Sequence, residues 1–263
     1  MKTKDKNVKF LLEIAKDTAV KAGKAIMEIY QSADFPQIIQ PGEFPSTRAD
    51  KRSHQLIIES LYKTNLPILS EEGPTIDFNE RSLWEYFWLI DPLDGTKEFI
   101  NKIDEFTVGI ALIKKNKPVA GVIYSPCSDT LYCGSKETGV YKYVHDKPIP
   151  LTPLPKRKKF NDFVQKEQFT ITASRSHLTP GTKEFIDRFK KVKIILMGSS
   201  LKFMMLLENQ ADIYPRFGST MEWDTAAAHA ILNAANRGVY TTDMQSELIY
   251  NKPDLTNPFF IAF

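Results

Sequence analysis

The stretch Trp88-Leu89-Ile90-Asp91-Pro92-Leu93-Asp94-Gly95-Thr96-Lys97-Glu98-Phe99 decides how this chain is read. Phe87 to Ile90 is an apolar run of strand character, and it delivers two carboxylates, three residues apart, onto a turn. Pro92 fixes the backbone between the acids. Gly95 lets the main chain approach another group closely, and Thr96 adds a hydroxyl and an N–H. Such a strand end can hold divalent cations with its acids and a phosphate with its N–H groups. Asp-Gly alone is only a turn signal, so the weight rests on the full string and on what surrounds it.

Upstream, Val8, Leu11, Leu12, Ala15, Ala19, Ala22, Ile26 and Ile29 recur at helical spacing and predict an amphipathic helix. A polar loop rich in Pro and Gly follows from Gln31 to Thr47. A second helix is expected from Asp50 to Tyr62, then a short strand from Leu66 to Ser70. Downstream, Thr107 to Lys114, Val119 to Tyr124, Thr130 to Gly134 and Gly139 to Val144 are rich in β-branched and aromatic residues and read as an antiparallel sheet. Residues 1–146 are thus expected to form an N-terminal α+β domain. Residues 147–168, with four prolines and the run Lys156-Arg157-Lys158-Lys159, read as a connector whose charges are solvated.

Residues 169–263 alternate strand and helix. Strands are expected at Phe169 to Ala173, Lys193 to Met197 and Ala211 to Tyr214. Helices are expected at Thr182 to Phe189, Leu201 to Glu208 and Asp224 to Asn236. That alternation predicts a smaller α/β domain.

The chain has 263 residues, 42% hydrophobic and 25% charged, with a formal net charge of +3. This is ordinary for a globular protein, and the weak basic excess does not argue for a nucleic-acid polymer as partner. Cys127 and Cys133 are the only cysteines; there is no Cys-x-x-Cys, His-rich tract or His-Glu-x-x-His. Phe10-Leu11-Leu12 is broken at once by Glu13, Lys16 and Asp17, so no signal-peptide core is read, and no apolar run is long enough to span a membrane. A cytoplasmic location is expected. Ser199-Ser200-Leu201-Lys202 fits a serine β-lactamase pattern, but the Lys-Thr-Gly element is missing.

Three further acidic segments accompany the strand end: Ser70-Glu71-Glu72, Ser46-Thr47-Arg48-Ala49-Asp50, and Glu222-Trp223-Asp224-Thr225-Ala226-Ala227. Each alone has an ordinary explanation as a solvated loop or a helix N-terminal acid. Two carboxylates ~4 Å apart repel by about 4 kcal/mol at an effective dielectric of ~20. Glu71, Asp91, Asp94 and Asp224 together would therefore call for cations or protons.

Asp-Pro-Leu-Asp-Gly-Thr, with these acids in this order around it, resembles the inositol monophosphatase superfamily. The Lys97-Glu98-Phe99 continuation resembles its 3′(2′),5′-bisphosphate nucleotidase branch. The resemblance implies a layered αβαβα sandwich of the α/β (α+β) class and Mg²⁺-dependent hydrolysis. One metal would be shared by Glu71, Asp91 and the Leu93 carbonyl, a second by Asp91, Asp94 and Asp224, and a third, weaker one would lie near Glu71. Thr96, with Asp50 behind it, would orient the attacking water, and the N–H groups of Gly95 and Thr96 would hold the phosphate. Lithium inhibition is implied as well.

Ser174-Arg175-Ser176-His177, Gly198-Ser199-Ser200-Leu201-Lys202-Phe203 and Tyr214-Pro215-Arg216-Phe217-Gly218 also resemble the nucleotide branch. Ser174, His177, Ser199, Ser200, Lys202 and Arg216 would then bind substrate, with Lys202 and Arg216 supplying charge-assisted bonds to a second phosphate. The substrate implied is 3′-phosphoadenosine 5′-phosphate, cleaved to AMP and phosphate, with 3′-phosphoadenosine 5′-phosphosulfate as another. The alternatives are an inositol or sugar monophosphatase and a non-catalytic nucleotide-binding sensor. Either a monomer or a homodimer is compatible. One departure stands out: the branch often carries Lys-x-Asp-x-Ser-Pro-Val-Thr before the Asp50 position, where this chain reads Gln40-Pro41-Gly42-Glu43-Phe44-Pro45-Ser46-Thr47. It bears on the flap and the third metal, not on the four acids.

Overall fold

The computed structural model describes residues 7–32, 37–38, 46–165, 167–176 and 178–263. Helix α1 (Val8–Gln31) opens the chain, its first turn capped by the Asn7 side chain accepting from the Phe10 N–H at 3.0 Å. A two-residue pair follows, β1 (Gln37–Ile38) and β2 (Ser46–Thr47), and then α2 (Arg48–Leu61). Next come β3 (Ile68–Ser70), α3 (Phe78–Arg81), β4 (Tyr86–Asp94) and α4 (Thr96–Ile100). Strands β5 (Thr107–Lys114), β6 (Lys117–Ser125), β7 (Thr130–Ser135), β8 (Gly139–Val144) and β9 (Lys147–Leu151) form a meander.

The order in the seven-stranded sheet is β3-β4-β5-β6-β7-β8-β9, parallel between β3 and β4 and antiparallel elsewhere. Side chains alternate between its faces, as the strand period requires. Trp88, Ile90, Ile110, Leu112 and Val122 pack with Leu12, Ala15, Ala19 and Ala22 of α1. Phe87, Leu89, Ala111, Ile113 and Ile123 join a second core on the opposite face.

The remaining elements are α5 (Phe160–Val164), β10 (Phe169–Ser174), α6 (Pro180–Asp187), β11 (Val192–Met197), α7 (Leu201–Leu207), β12 (Tyr214–Arg216), α8 (Glu222–Ala234), β13 (Val239–Thr241) and β14 (Phe260–Ala262). Ala227 and Ile231 of α8 fill the second core of the large sheet. The contact is close: a Cβ on Gly121 of β6 would lie 2.1 Å from the Ala227 carbonyl oxygen. Strands β10 and β11 are parallel, and β12-β14-β13 is antiparallel. An Ile171–Ile213 bridge links the two groups. Along β14, Phe260 and Ala262 face the core of α7 and α8, whereas Ile261 joins Phe163, Phe185 and Ile186 on the far side. The layers therefore run α1/α2, large sheet, α7/α8, small sheets, α5/α6. This is the expected αβαβα sandwich.

Lys147–Leu151, read from sequence as part of a connector, is instead an antiparallel edge strand on β8, and Phe160–Val164 is helical. Pro148 and Pro150 hid the strand; proline lacks the N–H a central strand needs but is tolerated at a sheet edge. Strands β13 and β14 were not anticipated. Both cysteines are free. No helix among the described residues is long and apolar enough to cross a membrane.

Candidate active site

The C-terminal end of β4 sets the position of the site. Its register with β5 shifts between Asp91 and Asp94, so the ladder breaks where the two acids turn off the sheet. Gly95 then adopts φ 95°, a left-handed conformation, and α4 begins at Thr96. Asp50 lies in the first turn of α2 and is buried. Ser53, on the next turn of α2, donates to the Pro92 carbonyl at 2.7 Å and pins that helix to the strand end. The Thr96 hydroxyl donates to Asp50 Oδ1 at 3.2 Å and lies 3.4 Å from the Leu93 carbonyl oxygen. Glu71 follows β3, its N–H bonded to the Ile90 carbonyl at 3.2 Å, and Asp224 lies in the first turn of α8.

These groups line one cavity of about 340 Å³. It takes in Asp50, Glu71, Asp91, Leu93, Asp94, Gly95, Thr96 and Asp224. Ser174, Ser199, Ser200, Lys202 and Arg216 line the same cavity, with Ser200 and Lys202 next to Asp94, together with Phe203, Tyr214 and Phe260. Every site residue expected from sequence is brought to this cavity except His177, which lies outside the described residues. Residues 40–45 of the divergent flap also lie outside them.

Crowding and burial favour the protonated form of these acids. Glu71 stands at the solvent-exposed mouth, yet the protein around its carboxyl, and then Asp224 and Asp50, push it up to about 8. Burial, then Glu71, Asp94 and Asp224, hold the Asp91 carboxyl well above its ordinary range. Burial and then Asp94 push Asp224 up to about 7. Asp94 is also raised by burial, against the opposing pull of Lys202 and the Ser200 hydroxyl. Lys202 itself is buried, which drives its ammonium down to about 8 despite the nearby Asp94.

Do these residues fit a divalent cation? Asp91 Oδ1 is buried and has no hydrogen-bond partner among the described residues, an expensive arrangement unless a cation or a proton compensates. The donors around it are carboxylates and a carbonyl, the hard oxygen set that Mg²⁺ prefers. Among the described residues, no three His, Cys, Asp or Glu side chains already stand as a finished ligand set. Asp94 Oδ2 accepts from the Ser200 hydroxyl at 2.5 Å, and Asp224 Oδ2 accepts from the Met221 N–H at 2.8 Å. The donor chemistry fits, with side-chain rotation needed to complete it.

An inositol monophosphatase family model matches residues 7–258. The chain belongs to the inositol monophosphatase family. A 3′(2′),5′-bisphosphate nucleotidase, CysQ, of Salmonella typhimurium is 38% identical over 263 residues, covering 95% of this chain and 98% of that protein. CysQ of Buchnera aphidicola is 41% identical over 223 residues, 84% of this chain and 80% of that one. Among solved structures, CysQ from Bacteroides thetaiotaomicron superposes with a TM-score of 0.80 at 41% identity, covering 95% of this chain and 96% of that chain. Staphylococcal inositol monophosphatase-1 superposes with a TM-score of 0.76 at 18% identity, a likeness of fold alone. The family is metal-dependent, typically on Mg²⁺.

Several residues in or behind the cavity were not named as site residues from sequence. Phe203, Tyr214 and Phe260 form an aromatic wall, with ring centroids 4.9 Å apart for Phe203–Tyr214 and 5.5 Å for Tyr214–Phe260. Thr107, on β5, holds the Ser199 and Ser200 hydroxyls at 3.3 and 3.2 Å. Glu98 lines the cavity too and accepts from the Ser176 hydroxyl at 2.5 Å. Glu98, Phe203 and Tyr214 lie within segments quoted above for their resemblance, whereas Phe260 and Thr107 carried no local signal.

Proposed function

We propose that the chain is a Mg²⁺-dependent 3′(2′),5′-bisphosphate nucleotidase. It hydrolyses 3′-phosphoadenosine 5′-phosphate to AMP and phosphate, with 3′-phosphoadenosine 5′-phosphosulfate as a second substrate. The observation that carries this reading is that one cavity holds both the acids with Thr96 and a buried Lys202 with Arg216, Ser199 and Ser200. A monophosphate needs only the acids, Thr96 and its neighbouring N–H groups; a second phosphate gives the cationic and hydroxyl groups beside them a use. The names of the relatives, at 37–41% identity over most of the chain, support the same substrate class.

Glu71, Asp91 and the Leu93 carbonyl would hold one cation, and Asp91, Asp94 and Asp224 a second. A bound divalent cation neutralises phosphoryl charge and eases deprotonation of water. The chain's own groups do the rest. Asp50 accepts the Thr96 proton, so the hydroxyl presents its lone pairs to the cavity and orients a water there. The Gly95 and Thr96 N–H groups bind the phosphoryl oxygens. Water attacks phosphorus in line, the ribose 3′-oxygen leaves with the bonding pair, and it ends protonated as the AMP 3′-hydroxyl. Lys202, Arg216, Ser174, Ser199, Ser200 and His177 bind the remote phosphate and ribose. A cytoplasmic enzyme, monomeric or homodimeric and inhibited by lithium, completes the proposal.

The test is Mg²⁺-dependent phosphate release from 3′-phosphoadenosine 5′-phosphate and inositol 1-phosphate, each with and without lithium. Strong preference for the nucleotide supports the proposal. Preference for inositol phosphate overturns the substrate, and nucleotide binding without turnover overturns the activity.

A further inference from the structure

The Glu105 carboxylate lies 70 residues from Arg175 in sequence, yet it receives a two-pronged bond from that guanidinium, Nε at 2.9 Å and Nη2 at 2.6 Å. Glu105 Oε2 also accepts from the Gly198 N–H at 2.6 Å. Arg175 immediately follows β10 and Gly198 immediately follows β11. One carboxylate from the segment after α4 thus ties the ends of both parallel strands. Arg175 tightens the tie with its Nη2 on the Leu196 carbonyl at 3.0 Å. The charge-assisted fork fixes orientation as well as distance.

The backbones meet at this point. A Cβ on Gly198 would lie 2.8 Å from Glu98 Cγ and 2.9 Å from Glu105 Cβ. A Cβ on Gly95 would lie 2.9 Å from the Glu105 carbonyl oxygen and 3.2 Å from Ser199 Cβ. Directly after Gly198, Ser199 takes φ 45°, a left-handed conformation a serine adopts only when its surroundings impose it. That turn aims Ser200 at Asp94 and begins the helix carrying Lys202. Beside the other strand end, Ser176 is held by Glu98.

We infer that Glu105, acting through Arg175 and Gly198, is a positioning residue that sets the Ser199–Lys202 segment for the second phosphate of the substrate. The inference rests on the bisphosphate reading of the site. Glu105 need not touch substrate. Its carboxylate stays ionised because the Arg175 bonds and the Gly198 N–H outweigh its burial, so the clamp is closed throughout the neutral range.

The experiment uses the full chain with Glu105→Gln and Arg175→Lys, each checked for an unchanged melting temperature. A glutamine cannot accept from both Arg175 and Gly198 with equal geometry, and a lysine keeps the charge but loses the fork. Steady-state kinetics are measured with 3′-phosphoadenosine 5′-phosphate and with adenosine 3′-monophosphate, which lacks the remote phosphate. Each variant should raise KM for the bisphosphate about 10-fold, as expected for a misplaced bond to a charged group, and leave its kcat and the monophosphate kinetics within about 2-fold. The double variant should be no worse than either single one, because both break the same clamp. Calorimetric binding of adenosine 3′,5′-bisphosphate in EDTA should weaken by the same factor, a readout independent of turnover. Equal losses on both substrates, or no loss, overturn the positioning role while leaving the bisphosphate reading intact. Wild-type protein that neither binds nor cleaves the bisphosphate overturns both. Should Glu105→Gln fold poorly, Arg175→Lys decides alone.

Discussion

The Thr96 hydroxyl donates to Asp50 Oδ1 across 3.2 Å, joining the first residue of α4 to the first turn of α2. Both residues line the cavity, and Asp50 is buried. Asp50→Asn should lower kcat by about 10²- to 10³-fold, within the range for a positioned acid–base group. Thr96→Ser keeps the hydroxyl and should retain most of the activity. The check is kcat for both variants at saturating Mg²⁺. Near-normal turnover by Asp50→Asn would remove the pair from the water-orienting role.

The acids also predict how stability depends on pH. Glu71 and Asp224 are raised to about 8 and about 7, whereas unfolded carboxyls titrate near 4. The folded, metal-free protein therefore binds more protons than the unfolded chain over this interval. Their contribution is intact below the unfolded pKa and is lost as pH rises through the folded values. Burial drives His229 the opposite way, to about 3, but its effect is felt below about pH 6.5, where the unfolded imidazole is charged. Melting temperature in EDTA should thus fall between pH 6.5 and 8. Mg²⁺ should restore more at pH 8 than at pH 6.5, because ligand binding to the folded state adds stability by mass action. A flat profile with no Mg²⁺ response would sink the metal assignment of these acids.

Lys202 is buried against Asp94, its ammonium donating to the Ser199 carbonyl at 2.5 Å. Lys202→Met keeps most of the stem and removes the charge. It should cost about 10- to 100-fold in kcat/KM for the bisphosphate, since bonds to charged groups are worth about 1.5–3 kcal/mol. The effect on inositol 1-phosphate should be smaller. Equal losses on the two substrates would place Lys202 in support of Asp94 rather than in contact with the second phosphate.

Legibility in the sequence followed locality. The Asp91–Thr96 turn could be read because strand, proline, glycine and acids lie within a few residues, and α1 because its apolar spacing is regular over its length. Trp88 and Phe87 pack into separate cores, yet the run looked merely apolar, since a strand buried on both faces shows no alternation. Strand β9 was obscured by Pro148 and Pro150. The Glu105–Arg175 clamp had no local trace: each residue alone is an ordinary surface charge, and only the fold brings them together. The same holds for Thr107, whose contacts to Ser199 and Ser200 cross from the large sheet to the turn that opens α7.

The packing of α8 on β6 gives the last prediction. A Cβ on Gly121 would lie 2.1 Å from the Ala227 carbonyl oxygen, a backbone atom that cannot swing aside. Gly121→Ala must therefore move α8, and Asp224 lies one turn before Ala227 on the same helix. Overpacking of this kind costs about 1–3 kcal/mol. Gly139→Ala is the matched control. Gly139 has φ 78°, so alanine there is strained by about 1–2 kcal/mol, but its nearest neighbour is the Tyr141 ring at 3.9 Å and it does not line the cavity. Both variants should melt at lower temperature. Only Gly121→Ala should also need more Mg²⁺ for half-maximal thermal stabilisation, because it alone displaces a proposed ligand. Identical Mg²⁺ titrations for the two variants would mean that α8 relaxes without carrying Asp224 along, and the site would then tolerate more backbone motion than its packing implies.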